Sequence, residues 1–282
     1  MQKRIYLKRR LMNFFQLSLA TLLTAFAVFW LIWILLALVM KGLPGFHFSL
    51  FTSITRSPGG QGGLLNAIVG SFLLTGYALL IGVPIGLLTG VWLAEAGRYT
   101  YAAHFVRIVN DILLSAPSII IGLFIYTIYV ARVGHFSGWA GAFALAVIVI
   151  PVIMRTTEDM FLLIPVTLRE AAAALGAPRW KVTTFILLRV ARTGILTGIL
   201  LALARISGET APLLFTALNN PFWSTDMQRP IANLPSVIFQ YVMSPYADWH
   251  QLAWTGALLI TIWILCINII VRVGFRQKPP LH

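Results

Sequence analysis

The sequence predicts an all-α integral membrane protein with six transmembrane helices. Hydrophobic residues make up 59% of the 282 residues and only 10% are charged, whereas a soluble domain has about 25% charged residues. Six apolar runs are long enough for a helix across the hydrocarbon core, which takes roughly 20 residues. They span residues 14–40, 64–94, 105–130, 139–160, 190–218 and 252–273. No stretch between them could hold a soluble domain, so residues 1–282 are predicted to form a single transmembrane domain.

Residues 1–13 are predicted to be a cytoplasmic basic tail. The apolar run that follows is much longer than the 7–15 residues of a signal-peptide core, which indicates an uncleaved first helix. Cytoplasmic loops of membrane proteins carry an excess of Lys and Arg. With the N-terminus inside, the cytoplasmic segments hold sixteen of the 21 Lys and Arg residues and the outer loops hold four. Both termini and residues 161–189 are therefore predicted to be cytoplasmic, and residues 41–63 and 219–251 to form outer loops.

The net charge of +13 does not indicate a nucleic-acid partner. The basic residues lie beside the apolar runs, as membrane topology requires, and the sequence has no soluble basic patch with interleaved aromatic residues. Membrane lipid is therefore the predicted surrounding of the chain. The one cysteine, Cys266, lies within an apolar run and cannot form an internal disulfide.

The second and third runs carry features that predict how their helices pack. Gly82, Gly86, Gly90 and Ala94 recur every four residues in the second run, and such small residues let helices approach closely in lipid. We expect this stripe to pack within the chain rather than against another subunit. Pro117 is expected to break the third helix near the middle of the membrane, and discontinuous helices often line a transport pathway.

Several charged residues lie near the cytoplasmic ends of the third and fourth helices. Asp111 is expected to pair with Arg107, which precedes it by four residues. Arg155, Glu158 and Asp159 end the fourth run and are expected to form a solvated helix face. Neither group is predicted to take part in transport.

Residues 161–189 are predicted to contain a helix–corner–helix elbow. Pro165 suits a first helical turn, and the Ala-rich stretch after it consists of strong helix formers. Gly176 can take the left-handed conformation that ends a helix, and Pro178 can begin the next one. The segment is too polar to cross a membrane, so it is predicted to form a loop on the cytoplasmic side.

The fifth run carries two charges on a face of small residues. At 100° per residue, Gly194, Gly198, Ala202, Arg205 and Glu209 share one narrow face. A charge at the centre of a membrane helix costs at least about 2.5–3.5 kcal/mol, so this face is expected to meet protein or water. One interpretation is a structural ion pair at i,i+4. The other is an anion-handling site, in which the planar guanidinium donates to an oxyanion and the carboxylate holds it or accepts a proton.

Two segments carry a resemblance to a known family. The motif Glu170-Ala171-Ala172, followed after three residues by Gly176, resembles the EAA loop of ABC importer permeases, although this chain has Arg189 where that pattern continues with Pro. The run ALARISGETAPLLFTALNNPFWSTD resembles the A-type permease subunits of phosphate-specific (Pst) importers. The likeness extends to the C-terminus and, more loosely, back to about residue 59. Such subunits are binding-protein-dependent inner-membrane components.

The resemblance implies a type I ABC importer permease fold in the bacterial inner membrane. It implies that Glu170, Ala171, Ala172 and Gly176 couple the chain to a separate cytoplasmic ABC ATPase, which binds the ATP and Mg that this chain does not. It also implies a second homologous permease subunit and an extracytoplasmic phosphate-binding protein that docks on the outer loops. Because the resemblance implies inorganic phosphate as the substrate, it favours the interpretation of Arg205 and Glu209 as an anion-handling site.

Alternative functions remain at this point. The chain could be a permease for another oxyanion, such as sulfate or molybdate, or a membrane scaffold. An ion-coupled secondary transporter would need carboxylates at mid-membrane, for which only Glu209 qualifies. The sequence has no GxxxxGK[ST] phosphate loop, GxSxG motif or metal-spaced His/Cys set. It therefore predicts a transport subunit with no catalytic residue, metal ion or cofactor of its own.

Overall fold

The computed structural model describes residues 2–60 and 62–274, and the regular elements in this part of the chain are helical. The predicted C-terminal cytoplasmic segment lies largely outside the described residues. A 3₁₀ turn occurs at Leu43–Gly45, and π-helical turns occur at Tyr126–Val130 and Val182–Leu187. The α-helices are α1 Gln2–Gly42, α2 Ser49–Thr52, α3 Leu65–Ala94, α4 Tyr101–Ser115, α5 Ser118–Ile125, α6 Ala131–Val133, α7 Gly138–Leu162, α8 Val166–Ala174, α9 Arg179–Lys181, α10 Leu188–Ser207, α11 Ala211–Leu214, α12 Leu234–Val242 and α13 Ala247–Gly274.

The described chain has five continuous helical segments long and apolar enough to cross a membrane, and a sixth if the bent pair of α4 with α5–α6 counts as one span. This agrees with the six predicted runs. The predicted basic tail is not a separate segment, because α1 is one 41-residue helix that begins at Gln2. The first span therefore continues at its N-terminal end as a helix that carries the basic residues.

The core of the bundle is the pair α3 and α7, the most extensively packed helices of the chain. Gly82, Gly86 and Gly90 are buried, and each faces α7. A Cβ atom at Gly82 would lie 2.8 Å from a Val149 methyl group, and one at Gly90 would lie 2.6 Å from the Met154 carbonyl oxygen. The stripe therefore allows the two helix backbones to approach closely, and the predicted packing within the chain is confirmed.

The third predicted span is sharply bent. The helices on either side of residues 116–117 make an angle of 107°. Ala116 has an extended backbone conformation, with ψ of 133°, because the ring of the following Pro117 disfavours the helical region at the residue before it. The break predicted from Pro117 is confirmed.

The fifth predicted span differs from its prediction at the C-terminal end. Helix α10 ends at Ser207 with Gly208 as its C-cap, eleven residues before the end of the apolar run 190–218. Glycine is a poor helix former and proline a worse one, and Pro212 follows closely in the short helix α11. Glu209 is therefore not part of the helix that carries Arg205, and the prediction that both lie within one helix was wrong.

Helix α3 links the two ends of the bundle. Asn66, in its first turn, bonds to the segments at Thr55 and Asn220, whereas Glu95, its C-cap, bonds to Arg169 of α8. A 30-residue helix is about 45 Å long. The elbow and the two predicted outer loops therefore lie at opposite ends of the molecule.

Candidate functional site

The elbow has the predicted helix–corner–helix form. Helix α8 ends at Ala174, and Gly176 adopts the left-handed conformation with φ of 76°. Pro178 then precedes α9, which continues through the π-helical turn into α10 as one helical segment from Arg179 to Ser207. Because Arg189 replaces the proline of the family pattern, nothing interrupts the helix there. The second arm of the elbow and the fifth span are therefore a single rod.

The four predicted coupling residues differ in whether their side chains are exposed or buried. Glu170, Ala171 and Gly176 are exposed, whereas Ala172 is buried in an apolar cluster that includes Leu187 of the second arm. The buried alanine fixes the angle between the arms, because a larger side chain would push them apart. The structure thus places three of the motif residues on an accessible surface and one at the joint.

Exposed apolar side chains surround the elbow motif. Leu175, beside Gly176, is 88% exposed, and Trp180 and Phe185 of the second arm are 60% and 65% exposed. Single exposed apolar residues are common, but three close to one corner, with the basic residues Arg179 and Lys181 among them, form a surface typical of protein–protein contact.

Arg205 and Glu209 are neighbours but form only a loose pair. Arg205 Nε lies 4.0 Å from Glu209 Oε1, and their side chains are 41% and 18% exposed. Gly194 and Gly198, on the predicted face of small residues, contact α7 at Met160 and Thr156. Arg205, further along the same helix, has a side chain that is 41% exposed on this chain's surface.

The position of Arg205 along α10 is deep in the predicted membrane. Arg192, the nearest basic residue toward the predicted cytoplasmic side, is thirteen residues earlier in the same helix, which corresponds to about 20 Å. The hydrocarbon core is about 30 Å thick, so Arg205 lies inside it when Arg192 lies at its edge. An exposed guanidinium at that depth needs water, an anion or another protein surface.

Two ion pairs near the elbow were not predicted. Arg107 Nε donates to Glu158 Oε1 at 2.7 Å, and the Glu158 side chain is only 5% exposed. The predicted pairing of Arg107 with Asp111 and the predicted solvated position of Glu158 were therefore both wrong. Arg107 crosses to α7 because a buried carboxylate there requires a partner. The second pair, Arg169 with Glu95 at 2.7 Å, joins α8 to the end of α3.

At the opposite end of the bundle, two loops together with α12 and α13 line an open cleft of about 1020 Å³. Tyr241 stacks on Trp249 in its wall, with ring centroids 4.5 Å apart, and burial raises the pKa of the Tyr241 hydroxyl. Arg56 is the basic side chain among the described lining residues. These are Ile54, Thr55, Arg56, Ser57, Pro58, Gly59, Gly60, Leu218, Asn219, Pro221, Phe222, Gln240, Tyr241 and Trp249.

Buried asparagine holds the wall of this cleft in place. Asn66 is 3% exposed; its amide donates to Thr55 Oγ1 at 2.9 Å and to the Asn220 carbonyl at 3.0 Å. Its side-chain oxygen accepts the Thr55 N–H at 3.1 Å. Since a buried amide must have its hydrogen bonds satisfied, Asn66 fixes both loops against α3. Sequence reasoning missed this residue because an asparagine at a helix start usually serves as a local cap.

Comparison with known proteins assigns this chain to a family. The family model described as "Binding-protein-dependent transport system inner membrane component" matches residues 82–276. The chain belongs to this family. It is 57% identical over 270 residues to the "Phosphate transport system permease protein PstA" of Haemophilus influenzae, with 96% of each chain covered. It is 58% identical over 270 residues to the protein of the same name from Pasteurella multocida, again with 96% of each covered.

The fold also matches a solved ABC transporter structure. The chain superposes on a subunit of the inward-facing MetNI methionine ABC transporter with a TM-score of 0.59 at 23% identity, covering 75% of this chain and 94% of the other. This likeness confirms the predicted all-α permease fold. The region that matches this family model includes the elbow, Arg205, Glu209 and the second predicted outer loop.

Proposed function

We propose that this chain is the transmembrane permease subunit of an ATP-driven importer of inorganic phosphate. The observation that carries the proposal is the identity of 57–58% with phosphate transport permeases over 96% of the chain. Membership of a binding-protein-dependent family does not favour an ion-coupled secondary transporter.

Substrate choice is tested by uptake of labelled phosphate into cells whose own phosphate importers are deleted, with sulfate and molybdate as competitors. Competition by either of these at concentrations comparable to unlabelled phosphate would favour the other-oxyanion alternative.

The elbow is the docking site for a separate cytoplasmic ATPase, which binds ATP and Mg and carries out hydrolysis. Its exposed Glu170 and Ala171, with the apolar side chains beside them, form one contiguous contact surface. The left-handed conformation of Gly176 sets the corner, and a β-branched residue is strained there. We expect Gly176→Val to displace the second arm and to reduce co-purification of the ATPase.

The matched control for this test is Gly134→Val. Gly134 has a φ of 83°, with nothing within 4 Å of its Cβ position, but it lies outside the elbow. The same backbone strain there should leave ATPase docking unchanged. Normal docking and normal transport-coupled hydrolysis in the Gly176→Val protein would refute the assignment of the elbow.

Arg205 and Glu209 form part of the phosphate pathway. Arg205 is exposed on a single subunit at membrane depth, a position that a second, homologous permease subunit would enclose. Its guanidinium can donate two parallel hydrogen bonds to phosphate, and Glu209, close by but not tightly bonded, limits how strongly the site retains the anion. A structural ion pair of this length and exposure would contribute little to stability.

The pathway role predicts a specific pattern among three variants. Arg205→Gln should abolish uptake while the subunit still inserts and assembles, and Glu209→Gln should reduce uptake. The Arg205→Gln/Glu209→Gln double variant should remain inactive. If the pair were only structural and a partner subunit buried it, each single variant would leave an uncompensated buried charge and fail to assemble, and the double variant would regain uptake. Assembly is measured by co-purification of the partner subunits, and uptake by labelled phosphate.

The opposite end of the chain receives phosphate from an extracytoplasmic binding protein. The cleft between residues 54–60 and 218–222 is held rigid by Asn66 and lies at the end remote from the elbow. Its basic Arg56 and stacked aromatic side chains suit a polar protein loop or a released anion. In this proposal the N- and C-terminal segments lie on the cytoplasmic side of a bacterial inner membrane, the same side as the elbow.

A further inference from the structure

Two arginines from different helices converge on the C-terminal end of α3. Arg169 of α8 donates from Nε and Nη2 to Glu95 Oε1, at 3.1 and 2.7 Å. Arg107 of α4 donates from Nη2 to the Leu93 carbonyl oxygen at 3.1 Å. The last carbonyl groups of a helix have no partner within the helix, and positive charge is favourable at that end. The end of α3 is thus held by cations from two directions.

The same two arginines also hold the cytoplasmic end of α7. Arg107 Nε donates to Glu158 Oε1 at 2.7 Å. Arg169 Nη1 donates to the Ile164 carbonyl at 2.8 Å, and its Nη2 donates to the Phe161 carbonyl at 2.9 Å. We call Arg107, Arg169 and the α3 and α7 groups that they bind the arginine clamp. Each arginine therefore bridges α3 and the end of α7.

The clamp is stronger than an ordinary surface ion pair. The side chains of Arg169 and Glu95 are 21% and 24% exposed and their closest atoms are 2.7 Å apart, and charge-assisted hydrogen bonds of this length are about twice as strong as neutral ones. The Arg155–Asp159 pair of α7 is about 50% exposed and 3.4 Å long. Exposed pairs of that kind contribute little.

Helix α8 has few other attachments. Ala172 is the buried residue of this helix, and Leu168 packs against the same apolar cluster, which includes Ala94 of α3. The hydrogen bonds of Arg169 are the polar connection of α8 to the end of α3. We expect a displacement of α8 to reach α3 and α7 as a rigid movement only when these directional hydrogen bonds hold. Apolar contacts are non-directional, so a loop held by them alone would slide against the cluster while the spans stayed in place.

We propose that Arg169 is the positioning residue that transmits displacement of the elbow to the α3–α7 pair, and that Arg107 extends this connection to α4. The proposal rests on the proposed docking of an ATPase at the elbow. It assigns a mechanical role to a side chain that faces away from the docking surface. Arg169 therefore acts after docking and before the pathway opens.

The test removes the charge of Arg169 and keeps most of its length. Arg169→Met is assembled with the ATPase, the second permease and the binding protein in proteoliposomes. We expect the ATPase to co-purify in normal amount and phosphate uptake per ATP hydrolysed to fall about tenfold or more, within the 5–150-fold range of typical coupling between sites. The control Arg155→Met removes a neighbouring cytoplasmic arginine that lies outside the clamp, and should leave this ratio unchanged.

A second experiment replaces the ionic connection by a covalent one. Glu95→Cys and Arg169→Cys are combined with Cys266→Ser, which removes the native cysteine. A flexible bis-thiosulfonate reagent with a spacer as long as the two lost side chains then joins the positions. We expect low uptake per ATP before cross-linking, recovery after it, and loss again on reduction. A residue that merely stabilised the elbow would not produce this reversible recovery.

The outcomes separate this proposal from the assignment of the elbow. Loss of ATPase co-purification in Arg169→Met would show that the arginine shapes the docking surface, and would overturn a role in transmission. Normal uptake per ATP in Arg169→Met, or a cross-linked protein that docks the ATPase but remains uncoupled, would also overturn it. The assignment of the elbow itself is decided by Gly176→Val, whose result does not depend on Arg169.

Discussion

Gly90 provides a direct test of how closely α3 and α7 are packed. A Cβ atom there would lie 2.6 Å from the Met154 carbonyl oxygen and 2.7 Å from Thr157 Cβ. Carbon atoms in favourable contact are about 3.5–4.0 Å apart, so Gly90→Ala must separate the two backbones by about 1 Å. Overpacking of this kind costs about 1–3 kcal/mol, which exceeds the gain of at most about 1 kcal/mol from replacing glycine by alanine in a helix.

Gly76 on the same helix is the matched control, because nothing lies within 4 Å of its Cβ position. We expect Gly90→Ala to lower the temperature at which the detergent-solubilised subunit loses its monodisperse chromatographic peak by several degrees. Gly76→Ala should leave that temperature unchanged or raise it. Equal temperatures for the Gly90→Ala and wild-type proteins would refute the close approach of α3 and α7.

Two further predictions concern topology and the outer loops. Ser224→Cys in a Cys266→Ser background should react with a membrane-impermeant thiol reagent added outside the cell; reaction from the cytoplasmic side alone would reverse the orientation. Asn66→Leu leaves the buried Thr55 N–H without its partner, at a cost of about 1–3 kcal/mol. It should lower the melting temperature, whereas Asn268→Leu, whose amide bonds only within its own exposed turn, should not.

The features that sequence analysis predicted correctly depend on local chemistry. The small residues of α3 specify a close helix contact wherever its partner lies, Pro117 disfavours the helical conformation of the residue before it, and Gly176 permits the left-handed corner. Each effect operates within a few residues of its cause. Such features need no knowledge of which helices become neighbours.

The features that it missed depend on long-range choices. Arg107 has Asp111 four residues away, but it binds Glu158, which is 51 residues away along the chain. The pairing is decided by burial, since an exposed carboxylate is solvated by water and a buried one must find a cation. Burial of Glu158 is a property of the packed bundle and is not encoded in the residues around it.

The end of α10 shows that hydropathy also fails to predict where a helix ends within an apolar run. The run 190–218 is apolar almost throughout, and hydropathy alone does not distinguish one long helix from a helix followed by a turn. Gly208 and Pro212 indicated the end of the helix, because both are poor helix formers. The regular spacing of Arg205 and Glu209 suggested instead that the helix continues. Charges spaced four residues apart indicate a shared helix face only where the backbone between them is helical.

Helix α3 connects the two proposed functional ends of this chain. Near its start, Asn66 binds both loops that wall the cleft; at its end, Glu95 and the Leu93 carbonyl are held by Arg169 and Arg107. The helix is continuous over 30 residues, with Pro84 inside it, and is about 45 Å long. We expect a tilt imposed at the elbow to displace the loops around the cleft, because their buried hydrogen bonds to Asn66 cannot be broken without cost. The structure thereby offers one physical route by which the proposed ATP-driven movement of the elbow would change the proposed binding surface at the other end of the chain.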